Sequence, residues 1–125
     1  MNCGLGGIFG VGKQASSMSK FVVLSYTPVG ATLVYSWVGK GIVYDTGGLS
    51  LKPKGFMAGM KRDCGGAAAI LGAFYALVTQ EFSQTLHAIL CLAENAIGPK
   101  ATRPDDIHTL YSGNIINSTF ISTTL

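Results

Sequence analysis

The stretch VGKGIVYDTGGLSLKPKG, residues 38–55, decides how the rest of the chain is read. Its apolar run at 42–44 has the β-branched character of a buried strand and stops at Asp45. Thr46, Gly47 and Gly48 follow at once; Lys40 stands before the aspartate, Lys52 and Lys54 after it. An aspartate at the end of an apolar strand is either a turn residue ahead of two glycines or a group set at the crevice that α/β sheets open at their strand ends.

Outward from this stretch the pattern alternates. FVVLSY and TLVYSWVG precede it and TLHAILCLAE follows, which predicts strands at 21–26, 32–37, 41–45 and 86–92. Ala67, Ile70, Leu71, Phe74 and Leu77 or Val78 recur at helical spacing, predicting a helix over 64–79 with Asp63 suited to its N-cap. The glycine- and serine-rich residues 1–20 read as loop, 46–62 as irregular, and ATRPDDIHTLYSG as loop and short turn. Strand, strand, strand, helix, strand implies an α/β fold: a mixed, mainly buried sheet with flanking helices, the start of the long helix facing Asp45.

The bulk numbers narrow the function classes. At 125 residues the chain is at most one domain. Hydrophobic residues make up 48% and charged ones 12%, about half the usual charged share, as in a chain built largely of interior or a piece of something larger. A net charge of +3 is too weak to argue for nucleic acid. Five of the nine basic residues lie between Lys40 and Arg62, so the positive charge is local. Cys3, Cys64 and Cys91 have no CxxC spacing and form neither a disulfide framework nor a zinc knuckle, which fits a reducing, cytoplasmic setting. No secretory signal opens the chain, and GGAAAILGAFYALV is short of the roughly 18 apolar residues that a membrane span needs.

Two near-motifs fail. GIFGVGKQ, residues 7–14, puts Gln14 where a phosphate loop needs a hydroxyl, and leaves no room for the strand before it. VYDTGG approaches the DTG loop of aspartic proteases, but an alanine-rich helix follows instead of a β-lobe. His87 and His108 have no ligand-like spacing, and His87 in its apolar strand reads as a satisfied core residue. Asp45 and Asp63 remain. Converging at strand ends they would be hard oxygen ligands for Zn, Mn or Mg. Each also has a plainer reading, as a turn residue and as a helix cap, and Lys40 as an exposed strand-end charge.

VGKGIVYDTGGLSLKP followed by MKRDCGGAAAILGAF resembles the leucyl (cytosol) aminopeptidase family of two-metal exopeptidases, and the likeness extends through CLAENAIGPKATRPDDIHTLYSG. It carries a lysine, an aspartate five on, a lysine seven further and an aspartate eleven further: Lys40, Asp45, Lys52 and Asp63. The resemblance implies that residues 1–113 are the first part of that family's catalytic domain. It further implies a peptide substrate, two divalent ions (Zn or Mn, with Mg a further option), a cytoplasmic setting and a homo-hexamer. Lys40, Asp45 and Asp63 would be metal ligands, with Asp45 bridging. Lys52 would be the catalytic lysine that polarises the scissile carbonyl, and Met60 would line the pocket for the substrate's first side chain. A lysine ligates only as the neutral amine, a form that adjacent cations favour; Lys52 must stay cationic to hold an oxyanion. On a straight strand Lys40 and Asp45 stand about 16 Å apart, so a shared metal requires a bend or the lysine's full reach. Even without metal, both lysines are expected within about 6 Å of the two carboxylates.

The family pattern continues into N-T-D-A-E-G-R, which supplies an aspartate, a bridging glutamate and an arginine. Counted from Ser112 and Gly113, the asparagine, aspartate and glutamate positions hold Phe120, Ser122 and Thr124. Residues 114–125 therefore read as a divergent tail. The expectation is at most one weak metal site and no turnover from this chain alone. The alternative is a non-catalytic product that binds full-length subunits or is unstable.

Overall fold

The structure is a computed structural model that describes residues 4–117. The elements are α1 (Gly6–Gly12), β1 (Lys20–Tyr26), β2 (Val34–Asp45), α2 (Lys54–Met57), a 3-10 turn at Met60–Arg62, α3 (Gly65–Thr79), β3 (Thr85–Asn95), β4 (Ile107–Thr109) and β5 (Ile115–Asn117). Positions 120, 122 and 124, and with them the comparison to the family's acidic motif, lie outside the described residues.

β3 is the centre of a three-stranded sheet, antiparallel to β1 and parallel to β2. Its side chains alternate as the pleat requires. Leu86, Ala88 and Leu90 are buried on the face that α3 covers, while Ala93 on the opposite face joins Val11 of α1 and Ile42 of β2 in a small apolar cluster. The mixed α/β architecture expected from the alternation of elements is what forms, but the sheet is less buried than expected. On the α1 side Phe21, Val23 and Val38 are exposed, because α1 has only seven residues and covers only the Ala93 end.

Several local expectations are corrected. The two strands expected at 32–37 and 41–45 are one continuous β2. Gly39 is no break: a Cβ there would lie 2.7 Å from the Ala67 Cα, so the glycine marks where α3 presses on the strand. The stretch expected as loop at 1–20 contains α1, which exists because Val11 has Ile42 and Ala93 to pack on. Residues 101–113 are not merely loop, since β4 pairs antiparallel with β5. Residues 46–62 hold α2 and the 3-10 turn. Asp63 does not cap α3; Cys64 holds that position, and its thiol points back to the Lys61 carbonyl rather than capping the helix.

His108 in β4 is buried, its ring against Gly10 of α1, and its Nε2 has no hydrogen-bond partner among the described residues. Burial first, and Lys13 second, hold the imidazole below its ordinary value of 6.5, with Asp106 opposing. A group whose folded pKa is depressed is neutral in the native chain where the unfolded chain is already protonated. Its stabilisation is therefore full above about pH 6.5 and declines as pH falls below it. Urea denaturation from pH 7.5 down to 5 is expected to show this decline, and His108→Gln is expected to flatten it; an unchanged slope in the variant would disprove the assignment.

Candidate metal-binding and catalytic site

Two side-chain pairs form along β2, one where the 3-10 turn packs on the strand and one at its carboxyl end. The register of β2 against β3 is regular to Ile42 and then slips, so that Asp45 comes opposite Asn95. Such a slip bends a strand, and it lies inside the Lys40–Asp45 interval, where a shared metal would need either a bend or the lysine's full reach. Beyond Asp45 the chain doubles back. Gly47 sits at φ +84, where a Cβ would strike the Ser50 carbonyl, and the Lys52 N–H donates to the Thr46 carbonyl at 2.9 Å. This fold-back sets the Lys52 Nζ 3.1 Å from Asp45 Oδ2.

Asp45 is only 7% exposed and is nonetheless fully engaged. Its Oδ1 accepts the Gly47 N–H at 2.9 Å and the Asn95 Nδ2–H at 2.8 Å. The second pair is more open. The Lys40 Nζ lies 2.7 Å from Asp63 Oδ1, the lysine side chain keeping 37% of its exposure. Asp63 is delivered by the 3-10 turn, which packs on β2, and Gly66 at the start of α3 lies against the Lys40 backbone. The start of α3 thus lies against β2 at Lys40. Met60 opens the same turn and is half-buried. Both lysines stand within contact of a carboxylate, as the family resemblance implied.

Of the other basic residues, Arg62 Nε donates to the Gly59 carbonyl and Lys13 of the glycine-rich stretch pairs with Asp106. His87 is half-buried rather than core, its Nδ1 2.8 Å from the Ser25 hydroxyl. Asn95 is the site residue that sequence reasoning missed. Its only signal is an amide at the end of an apolar strand, and its meaning depends on β3 running parallel to β2.

Among the described residues no three His, Cys, Asp or Glu side chains come together as a cation site. Asp45 and Asp63 bring two negative charges, each already facing an ammonium group. These residues do not by themselves fit a two-ion centre, whose like charges need several anionic ligands.

The family model for the cytosol aminopeptidase family, catalytic domain, matches residues 1–119. The chain is 66% identical over 113 residues to the mouse protein named Probable aminopeptidase NPEPL1, covering 90% of this chain and 22% of that one. It is 52% identical over 116 residues to Leucine aminopeptidase 1 of Caenorhabditis elegans, covering 93% of this chain and 24% of the relative. The solved structure of leucyl aminopeptidase from Trypanosoma cruzi superposes with a TM-score of 0.88 at 55% identity, over 91% of this chain and 22% of that one. The chain therefore spans about a fifth to a quarter of the length of these relatives.

Proposed function

The chain belongs to the cytosol aminopeptidase family, within its catalytic domain, and from that premise we propose that it carries one side of a metal-assisted site that removes N-terminal residues from peptides. The observation that carries the reading is the fold-back after Asp45, which brings Lys52 onto that carboxylate at the ends of two parallel strands. In this reading Lys52 polarises the scissile carbonyl and holds the oxyanion, with Asp45 as its counter-charge when no substrate is bound. Lys40, Asp45 and Asp63 are the chain's metal ligands, and Met60 faces the substrate's first side chain. A bound divalent ion would supply an acidified water and an anchor for the substrate amine; the described residues would hold at most one. Zn, Mn or Mg all suit carboxylate oxygens. We read residues 1–113 as the N-terminal part of the catalytic domain, 114–125 as a divergent end in which β5 still pairs with β4, the setting as cytoplasmic and the family assembly as a homo-hexamer. No helix among the described residues is long and apolar enough to cross a membrane.

A chimera tests this. Residues 4–113 would replace the matching segment of the C. elegans enzyme, with which this chain shares 52% identity. Metal-dependent release of leucine from a chromogenic leucine amide is expected, and a folded but inactive chimera would overturn the proposal. A second reading has its own support. Phe21, Val23 and Val38 on the sheet, with Leu71 and Tyr75 on α3, leave much apolar surface exposed, which suits a non-catalytic product that associates with longer subunits.

A further inference from the structure

Asn95 does something for Asp45 that its own satisfaction does not require. A carboxylate only accepts hydrogen bonds, so the group of Asn95 that faces Asp45 Oδ1 at 2.8 Å is the Nδ2–H donor. That orientation leaves Asn95 Oδ1 buried with no hydrogen-bond partner among the described residues, an arrangement that costs stability. The backbone on either side is already committed elsewhere: the Asn95 carbonyl accepts both the N–H of Thr46 at 3.0 Å and its hydroxyl at 2.7 Å. Among the described residues the side chain is thus held by a single hydrogen bond, and that bond goes to Asp45.

With the Gly47 N–H at 2.9 Å as the other donor, both lone-pair positions of Asp45 Oδ1 are filled. Only Oδ2 is left, and the Lys52 ammonium occupies it at 3.1 Å. We infer that Asn95 is a positioning residue that commits Asp45 to binding through Oδ2 alone, so that Lys52 and any arriving cation compete for one oxygen. The inference rests on the proposed reading of Asp45 as a ligand; the rotamer control itself does not.

The test uses the whole chain, free of metal and then with Mn²⁺ as probe. Hydrogen exchange at the Gly47 amide reports whether Asp45 stays in place, and the amides of Val38 and Ile89 report the sheet. Asn95→Ala removes the donor; Asn95→Leu keeps much of the volume but offers neither donor nor charge, so a packing role would survive it. Both variants are expected to speed Gly47 exchange about tenfold, the size of one charge-assisted hydrogen bond, with the sheet amides unchanged and Mn²⁺ binding by calorimetry weakened. Retained Gly47 protection in Asn95→Leu, or equal acceleration of the sheet amides, would overturn the inference. If Gly47 responds as expected but the unaltered chain binds no Mn²⁺, the control of Asp45 by Asn95 stands and the metal reading of Asp45 falls.

Discussion

The 125-residue chain, purified on its own and given Mn²⁺ or Zn²⁺, is expected to release no leucine from a leucine amide above background. The reason is a shortage of negative charge where the ions would sit. The chain has six acidic residues. Asp106 is held by Lys13 and Arg103, Asp105 precedes it in the chain, Glu81 follows the end of α3 and Glu94 lies in β3; among the described residues none of them completes a three-residue cation site. Asp45 and Asp63 remain, and each already faces an ammonium group. Two divalent ions at about 3.5–4 Å repel strongly and need several carboxylates around them. One ion alone acidifies its water less and leaves the substrate amine without a second anchor. Losing a single oxyanion donor costs roughly 10²–10³ in rate, and here a whole metal site is wanting. Calorimetry is expected to show one weak Mn²⁺ site. Metal-dependent turnover by the purified chain, free of longer enzyme, would show that another group completes the centre.

What was legible in the sequence follows from which interactions are local. The apolar run into Asp45, the helical repeat from Ala67 to Val78 and the Lys-Asp-Lys-Asp spacing all show without knowledge of what packs where. Features set by partners do not. Gly39 reads as a break in isolation, and only the pressure of Ala67 reveals it as a continuing strand. α1 has no charged residue and no capping side chain, so its helix depends on the Ile42–Ala93 patch beneath it. Asp63 has the chemistry of an N-cap, yet Lys40, 23 positions earlier in the chain, binds it instead. Asn95 was invisible for the same reason: its partner lies fifty residues away across a parallel pairing. Asp45 and Asp63 could thus be named as candidates from the residues, and Lys40 and Lys52 only through the family resemblance, while the groups that hold them in place could not be named at all.

Lys52→Met separates the two tasks assigned to this lysine, and its effects should be large on both. In the free chain it removes the cation from a carboxylate that is 7% exposed. The two N–H donors on Oδ1 stay, but Oδ2 is left facing an apolar thioether. Breaking one partner out of a buried pair costs about 3 kcal/mol, a large share of the stability of a small domain. Removing both charges should cost less than removing one. Asp45→Asn combined with Lys52→Met is therefore expected to unfold in urea at a higher midpoint than Lys52→Met alone. A double variant no more stable than the single would mean that the pair contributes nothing as a pair. The chimera with the worm enzyme reads the other task. There Lys52→Met is expected to lower kcat by about 10²–10³ with a smaller change in KM, because an oxyanion donor acts in the transition state more than in the bound substrate. Lys52→Met in the chimera should also be assayed with Asp45 unchanged and the protein verified as folded. A stability loss without a rate loss would make Lys52 a counter-ion only, since methionine can fill the space but cannot hold an oxyanion.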